Sequence, residues 1–319
     1  MERKVTKKEY MERIDHETRI VLDQITSISS AIDQKNISEL RELNTQVCNA
    51  LKSGRHPQKI RVENKIVELK NREIRIRTYK ANRVSHAQIL YVHGGGFIMG
   101  DIETDDDICA DICVSSGITV TAVEYRLSPE FKHPAALEDV RACFNYLKTK
   151  EPIILVGYSA GATLVAVIAS ELRRSEKSLL GQVLICPFLG GNLKTGSYVE
   201  HANSPWLTTN EMMFYLSHWL KKGHNLSFLP LNEKSFKNLP PTAVFTADLD
   251  PLRDDGFNYV SHLKSQKVEV FHANGDGLLH GFLRARHRSV RAMQMYQKLV
   301  EQIKCLGNKP VDASRQKSI

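Results

Sequence analysis

The sequence predicts an α/β protein, built on a mostly parallel central sheet with helices on both faces and a helical cap. Short apolar strands alternate with helices from residue 87 onward, an order typical of parallel sheets with helical crossovers. Two of these strands run directly into glycine-containing loops, at residues 93–96 and 157–161. Because parallel sheets place their sites at the carboxyl ends of the strands, we expect both loops to lie at one edge.

The composition is typical of a reduced, water-soluble protein. A chain of 319 residues can bury a large core, either as two domains or as one α/β domain with an added cap. Its six cysteines are scattered without a C-x-x-C pair, which favours buried thiols over disulfides or a metal site. The N-terminus has no apolar signal region, and no apolar run approaches the roughly 18 residues of a membrane span. We expect a cytoplasmic protein, monomeric or homodimeric, with no membrane insertion, metal or cofactor.

Positive charge is concentrated near the N-terminus. The formal net charge is +8, and residues 1–80 hold 18 Lys or Arg against 12 Asp or Glu. Much of this excess lies at 59–80, where Arg75 and Arg77 alternate with Ile74 and Ile76, the pattern of a strand with a solvated outer face. No nucleic-acid-binding motif accompanies the charge, so we expect no nucleic-acid partner.

Residues 1–55 are predicted to form an N-terminal helical cap segment. Apolar residues recur at helical spacing between residues 14 and 28. A second helix is predicted to begin with Asn36 as its N-cap and Glu39 at the third helical position, and to end at Ser53 and Gly54. These helices could form part of a lid or could be plain packing helices, and the residues leave both interpretations open.

The rest of the chain is divided into a core and an insertion. Residues 56–189 and 232–306 are predicted to be the two parts of the core, and 307–319 a polar, frayed tail. Strands are predicted at 59–69, 73–79 (after a turn at 71–72), 87–92, 118–124, 153–156, 182–186, 242–246 and 268–271. Helices are predicted at 106–115, 135–148, 163–172 and 289–303.

Residues 190–231 interrupt the alternation of strands and helices. This segment holds both tryptophans of the chain and several other large apolar residues, but no clear strand. We interpret it as a cap insertion whose apolar face closes over the site, because methionines and aromatics suit an apolar binding wall. Ordinary core packing of the same side chains is the alternative.

The segment PIILVGYSAG at 152–161 has the form of a nucleophile elbow. A buried strand, the pattern G-x-S-x-G and a helix follow one another, and this context makes a weak five-residue pattern specific. Small residues on both sides let neighbouring backbone approach the sharp turn, and the helix that follows can stabilise a nearby anion. Ser159 is therefore the candidate nucleophile.

Three consecutive glycines follow His93 at the end of another strand. Such a run has no packing value and costs backbone entropy, so we expect the bare chain itself to be used. Backbone N–H groups of Gly95, Gly96 and Ala160 could form an oxyanion hole. A flexible loop is the alternative, with His93 serving as a scaffold residue.

A serine nucleophile needs a base and an acid that orients the base. The chain order Ser, Asp or Glu, His of α/β enzymes with this elbow is obeyed by Ser159, Asp250 and His280. Asp248 competes almost evenly with Asp250 for the acid, and Asp254 and Asp255 lie nearby. The other late histidines, His272 and His287, are more easily structural.

Six motifs together resemble the hormone-sensitive-lipase-like esterases, and particularly their bacterial acetyl-esterase-like members. They are HGGGF at 93–97, YRLSPE at 125–130, HPAALEDV at 133–140, GYSAG at 157–161, DPLRD at 250–254 and HGF at 280–282. The resemblance covers residues 87–290 and implies an α/β-hydrolase fold. It further implies Ser159 as nucleophile, Asp250 as the acid and His280 as base, with an oxyanion hole at Gly95, Gly96 and Ala160.

The resemblance also implies a function. We expect a serine carboxylesterase that hydrolyses short-chain acyl esters, acetyl to about hexanoyl, through an acyl-enzyme. An amidase or peptidase with the same triad and a catalytically inactive ligand-binding protein on this scaffold are the alternatives. These esterases often carry Asp before the serine, where this chain has Tyr158. The residues predicted to line the substrate pocket are Phe97, Tyr158, Trp206, Met213 and Phe214.

Overall fold

A single eight-stranded sheet organises the molecule. The computed structural model describes residues 3–29, 36–52, 54, 60–81, 85–173, 176–223 and 226–309. The strands are β1 (Ile60–Leu69), β2 (Arg72–Ala81), β3 (Gln88–Val92), β4 (Thr119–Val123), β5 (Ile153–Tyr158), β6 (Leu179–Ile185), β7 (Thr242–Ala247) and β8 (Val270–Gly275). Their order is β1-β2-β4-β3-β5-β6-β7-β8.

Helices lie before, between and after the strands. They are α1 (Lys7–Arg13), α2 (His16–Ser29), α3 (Ile37–Leu51), α4 (Asp106–Ser116), α5 (Ala135–Leu147), α6 (Ala160–Leu172), α7 (Ser197–Glu200), α8 (Thr209–Trp219), α9 (Arg253–Ser265) and α10 (Val290–Gly307). None of the helices in the described ranges is both long and apolar enough to cross a membrane.

The mostly parallel sheet predicted from the alternation of elements is confirmed. The β1–β2 and β2–β4 pairs are antiparallel, and all pairs from β4 to β8 are parallel. Strands β3, β5, β6 and β7 are buried along their whole length. A strand covered on both faces must be apolar throughout, which explains the continuous apolar runs in the sequence.

The register of the central strands brings the two glycine-containing loops together. Val92, the last residue of β3, pairs with Gly157 of β5, and Tyr158 pairs with Ile185 of β6. The chain therefore leaves β3, β5 and β6 at one edge of the sheet and at nearly the same height. The segments after β7 and β8 leave at this edge as well, since Ala247 pairs with Gly275.

The N-terminal helices pack against this edge. Tyr10 and Ile14 are buried together with Leu249 and Leu279, which lie in the segments after β7 and β8. Helix α3 begins with the predicted capping box, in which the Asn36 side chain accepts from the amide of Glu39. That helix ends at Leu51, and the predicted stop at residue 53 lies outside the described residues.

Several local predictions were wrong. Arg77 is buried rather than solvated, because α4 and its preceding turn cover that face of β2 and supply Glu103 and Asp106 as ion-pair partners. The turn between β1 and β2 lies at residues 70–71 rather than 71–72.

Other element bounds also differ from expectation. Helix α6 begins at Ala160, three residues earlier than predicted, and α10 runs through Gly307 into the predicted tail, of which residues 310–319 lie outside the described residues. Strand β8 begins and ends later than predicted, because its pairing with β7 runs from Val270 to Gly275. Helix α9 was not anticipated.

Candidate active site

Ser159 occupies a strained turn between β5 and α6. Its backbone has φ 54° and ψ −119°, a region that residues other than glycine rarely adopt. The Ser159 amide donates to the carbonyl of Ile185 at 2.8 Å, which ties the turn to β6. A Cβ on Gly161 would overlap the carbonyl oxygens of Val92 and His93, so only glycine allows this approach of α6 to β3. The turn has the geometry expected of a nucleophile elbow.

A continuous hydrogen-bonded chain joins Ser159, His280 and Asp250. His280 Nε2 lies 2.8 Å from Ser159 Oγ, and His280 Nδ1 lies 2.7 Å from Asp250 Oδ2. The other carboxylate oxygen of Asp250 accepts from the Leu252 amide at 2.9 Å. Asp250 and His280 are both buried. Three residues separated by up to 121 positions thus meet at one edge of the sheet.

The competing acids have other partners. Asp248 binds Arg13 of α1 at 2.7 Å and accepts from the amide of Gly277. Asp254 accepts from the Ser197 amide at 2.8 Å. Among these acids it is therefore Asp250 whose carboxylate contacts His280, a choice that sequence spacing left open.

Asp255, the fourth candidate acid, accepts from three consecutive amides. Those amides belong to Leu189, Gly190 and Gly191, and the bonds hold the chain after β6 in place. Burial raises the Asp255 pKa to about 6 despite these three donors. This carboxylate anchors the start of the 190–231 segment.

The remaining late histidines lie away from Ser159. His272 Nε2 is bonded to Thr246, and His287 Nε2 is bonded to Asp111 of α4. His93 is buried, its ring stacks on Tyr125 at a centroid distance of 4.2 Å, and its Nδ1 bonds the carbonyl of Gly94. Burial lowers the pKa of His93, which keeps its ring neutral. These contacts are those of structural histidines.

The triple-glycine loop lies directly against the elbow. A Cβ on Gly94 would lie 3.1 Å from the carbonyl oxygen of Tyr158 and 3.3 Å from Ser159 Cβ. Gly95 has φ 113°, and its carbonyl accepts from the amides of residues 98 and 99, so the loop is a closed turn. Gly95 and Gly96 line the same cavity as Ser159. Ala160 opens α6, where helix N–H groups have no partner within the helix.

A cavity of about 150 Å³, which we call the serine cavity, opens at Ser159 and His280. Its wall is formed by Asn44, Gly95, Gly96, Met99, Tyr158, Ser159, Trp206, Leu207, Tyr215, His280 and Arg284. Asn44, Met99, Trp206 and Tyr215 also line a second space of about 190 Å³, which we call the α3 cavity. Its other lining residues are Ile25 and Ser29 of α2, Leu40, Leu43 and Val47 of α3, Pro205, and Glu211 of α8.

Two of the five predicted pocket residues line the serine cavity, namely Tyr158 and Trp206. Phe97, Met213 and Phe214 do not. The Phe97 ring is instead stacked on Trp219 at 3.7 Å, inside the core. Met213 and Phe214 lie on the outer face of α8 and are 47% and 39% exposed. The aromatic residues of 190–231 suggested a wall of the substrate pocket. Which of these side chains face the serine cavity is decided by their positions around helix α8.

Two aromatic side chains of the 190–231 segment rest on glycines of the active-site loops. A Cβ on Gly281 would overlap the indole of Trp206, and a Cβ on Gly96 would lie 2.5 Å from Tyr215 Cδ2. Trp206 therefore lies on the loop that carries His280, and Tyr215 lies on the triple-glycine loop. The roof of the serine cavity is in direct contact with both.

Sequence reasoning missed five lining residues, namely Asn44, Met99, Leu207, Tyr215 and Arg284. Arg284 lies four residues after His280, and it pairs with Asp105 and donates to the carbonyl of Thr104. Its short distance from His280 in the sequence was the signal that could have marked Arg284 as a residue of the site. Asn44 comes from α3, and no local pattern marks it as facing the site.

Cys186 also adjoins the site. Within the described ranges, Cys186, Asp250 and His280 are the one group of metal-type ligands whose donor atoms lie within 4.8 Å of one another. The imidazole and the carboxylate in this group are bonded to each other, which accounts for their proximity. Burial raises the pKa of the Cys186 thiol well above its usual value, and the Asp250 charge adds to this effect. The thiol therefore stays protonated beside the carboxylate.

Comparison with known proteins agrees with the fold. A family model described as an alpha/beta hydrolase fold matches residues 89–284, more than half of the chain. The chain belongs to this α/β-hydrolase family. The matched range contains the elbow, the triple-glycine loop, Asp250 and His280.

Relatives of this α/β hydrolase are esterases. The arylesterase of Saccharolobus solfataricus is 32% identical over 253 residues, covering 74% of this chain and 82% of that enzyme. The ethyl acetate hydrolase of Pseudomonas putida is 29% identical over 213 residues, covering 62% and 66%. The solved esterase of Pyrobaculum calidifontis has a TM-score of 0.82 at 28% identity, covering 93% of this chain and 100% of that one. This α/β hydrolase is a hormone-sensitive-lipase-like carboxylic ester hydrolase.

Proposed function

We propose that this carboxylic ester hydrolase is a serine carboxylesterase in which Ser159 is the nucleophile, His280 the base and Asp250 the orienting acid. The observation that supports this proposal is the hydrogen-bonded chain of 2.8 Å and 2.7 Å through the two imidazole nitrogens. A hydroxyl is a weak nucleophile until an adjacent base accepts its proton. The buried carboxylate favours the tautomer with the proton on Nδ1, which leaves Nε2 free to accept from Ser159.

In the first half-reaction, Ser159 Oγ attacks the carbonyl carbon of the ester while its proton passes to His280 Nε2. The imidazolium formed is stabilised by Asp250. When the tetrahedral intermediate collapses, the bond to the alcohol oxygen breaks and Nε2 returns the proton to the leaving alcohol. Water then attacks the acyl-enzyme with the same base, and the carboxylic acid leaves as Ser159 recovers its proton.

The oxyanion of each tetrahedral intermediate needs donors that are already in place. We assign this role to the amides of Gly95, Gly96 and Ala160. The loop of the first two is held against the elbow, and Ala160 stands at the positive end of α6. Removal of one such donor costs about 10²–10³ in kcat in comparable sites.

The substrate is proposed to be a small ester with an acyl chain from acetyl to about hexanoyl. The serine cavity is small, about 150 Å³, and its aromatic roof limits the length of what it can hold. The relative from Pseudomonas putida is an ethyl acetate hydrolase, which agrees with a short acyl group. We further propose that segments 1–55 and 190–231 act together as the cap, since residues of both line the α3 cavity.

The role of Ser159 is tested by replacing it with alanine. We expect Ser159→Ala to lose at least about 10³-fold in kcat on nitrophenyl acetate, and to lose labelling by a fluorophosphonate probe. Ser217→Ala, an exposed serine on α8, is the matched control and should keep both. A Ser159→Ala variant that folds normally and keeps more than about 1% of the rate would contradict the assignment.

The substrate proposal is tested with wild-type protein. Nitrophenyl esters from acetate to decanoate are compared by kcat/KM, and we expect the value to fall beyond hexanoate because longer chains exceed the serine cavity and the α3 cavity that adjoins it. Matched anilides measured alongside the esters distinguish esterase from amidase activity. A maximum at decanoate, or anilide rates equal to ester rates, would overturn this part of the proposal.

A further inference from the structure

Tyr158 immediately precedes the nucleophile and is buried against the loop that carries His280. Its ring centroid lies 5.9 Å from that of His280 with an interplanar angle of 24°. Its hydroxyl donates to the main-chain carbonyl of His280 at 3.0 Å, in a buried position. Tyr158 also differs from the aspartate often found before the serine, so its side chain calls for an explanation of its own.

The loop that carries His280 has no helix or strand of its own and is held by individual contacts, among them the ion pairs of Arg284 with Asp105 and of Arg286 with Asp107. Residues 276–288 consist of turns between β8 and α10. On one side the loop is tied through the carbonyl of Leu278, which accepts from the amide of Leu249 at 2.9 Å. At His280 itself, the Tyr158 hydroxyl binds the carbonyl oxygen. The hydrogen bond of the Tyr158 hydroxyl therefore joins the main chain of His280 to the elbow.

The two contacts of His280 with the elbow come from adjacent residues. The imidazole meets Ser159 Oγ at 2.8 Å, and the carbonyl of the same histidine meets Tyr158 Oη at 3.0 Å. Since one peptide unit separates the two partners, a shift of the loop would stretch both bonds together. A displacement of about 1 Å in a reacting group can cost about 10²-fold in rate.

The phenol is suited to this task chemically. Burial raises the Tyr158 pKa well above 10, so the group stays a hydrogen-bond donor over the working range of an esterase. A backbone carbonyl accepts and never donates, so the bond needs a donor at residue 158. Phenylalanine fills the same space without that donor, which makes the hydroxyl separable from the ring.

We propose that Tyr158 is a positioning residue, whose hydroxyl holds the main chain of His280 so that the imidazole stays in line between Ser159 and Asp250. The inference rests on the proposed function, because it assigns a partner to the base of that reaction. Tyr158 takes no part in proton transfer.

The test is Tyr158→Phe, compared with Tyr296→Phe as a matched control. Tyr296 is also a buried tyrosine whose hydroxyl donates a hydrogen bond, to Ser115, but it lies on α10 away from the serine cavity. We expect Tyr158→Phe to lower kcat on nitrophenyl acetate by about 10- to 100-fold with little change in KM, since the ring still lines the cavity. Tyr296→Phe should keep kcat within about twofold at a comparable loss of Tm.

A second readout reports the geometry without turnover. The proton shared by His280 Nδ1 and Asp250 gives a far-downfield proton NMR signal when the imidazole is held in place. We expect this signal to shift and broaden in Tyr158→Phe and to be unchanged in Tyr296→Phe. If the wild type showed no esterase activity, the proposed function would fail while this signal still tested the positioning.

Three outcomes would overturn the proposal. One is a Tyr158→Phe variant with wild-type kcat and an unchanged downfield signal. Another is an equal loss of kcat in both variants that follows their loss of Tm. The third is failure of both Tyr158→Phe and Tyr158→Leu to fold, since Tyr158 would then be a core residue.

Discussion

At the scale of single residues, the site depends on which of several similar groups faces the imidazole. Asp248 and Asp250 are two positions apart in the turn that follows β7, so the alternation of side chains along a strand does not set their directions. Asp250 turns inward to His280, whereas Asp248 turns toward α1 and binds Arg13. The same local sequence thus supplies a candidate acid for catalysis and an anchor for the N-terminal segment.

Because Asp250 and Asp248 have different partners, two similar substitutions should have different effects on kcat. Asp250→Asn keeps the shape of the side chain but removes the charge that stabilises the imidazolium, and we expect kcat to fall by about 10³- to 10⁴-fold. Asp248→Asn loses an ion pair at the protein surface, worth at most about 1 kcal/mol, and should keep kcat within about twofold. Steady-state kinetics on nitrophenyl acetate measure both, and the reverse ranking would show that Asp248 is the acid.

At the scale of elements, the N-terminal helices belong to the site although they precede the core in sequence. Arg41 of α3 donates to the carbonyl of Ile98, just after the triple-glycine loop, at 2.7 Å. Three residues further along α3, Asn44 lines the serine cavity. The helix thus braces one active-site loop and supplies part of the cavity wall. These contacts support the proposal that the N-terminal segment forms part of the cap.

We predict that α3 limits the length of the acyl chain. Leu43 lines the α3 cavity, so Leu43→Trp should fill that space and lower the ratio of hexanoate to acetate kcat/KM by about 10-fold or more. Asn49→Trp adds the same bulk to the exposed face of the same helix and should leave the ratio unchanged. An unchanged ratio in both variants would mean that the acyl chain does not enter the α3 cavity.

The helices and strands and the residues of the site are not equally predictable from the sequence. The positions of the strands and the Asn36 cap follow from signals within a few residues, and the chain order serine, acid, histidine goes with the elbow motif. The preference for Asp250 over Asp248 rests on the family resemblance alone. Helix α9 escaped notice because Gly256 and many polar residues dilute its apolar face. That glycine is needed because a Cβ there would overlap the Thr246 methyl group. The burial of Arg77 and the identity of the cavity-lining residues depend on which elements pack against which face of the sheet. No local sequence pattern shows that packing.

At the scale of the whole molecule, the N-terminal segment is joined to the core through a buried polar cluster. His201 is fully buried, with Nδ1 bonded to Tyr10 of α1 and Nε2 accepting from Arg253 at 3.0 Å. Arg253 also pairs with Glu200 of α7 at 2.7 Å. Chain segments more than 190 positions apart therefore share one hydrogen-bonded network.

This network predicts a loss of stability in mild acid. Burial lowers the pKa of His201 below 6.5; the charges of Arg253 and Arg13 act in the same direction, and those of Glu200 and Asp248 oppose them. The native state then binds fewer protons than the unfolded chain, so this stabilisation is complete above pH 6.5 and is lost as the pH falls toward the lowered pKa. Protonation would also stop Nε2 from accepting from Arg253.

The measurement is Tm against pH from 8 to 5 for the wild type and His201→Gln. We expect the Tm of the wild type to fall more steeply below pH 6.5, because the variant has no imidazole to protonate at this site. Parallel curves would show that His201 does not contribute to the acid sensitivity.

The contact between Trp206 and Gly281 has a consequence for any attempt to broaden the substrate range. The indole is at once the roof over the substrate and a support for the peptide next to the base. Replacing Trp206 with a smaller residue to admit bulkier esters would remove the side chain that packs against the loop carrying His280. In this scaffold, breadth of specificity and speed of turnover are therefore not independently adjustable at Trp206.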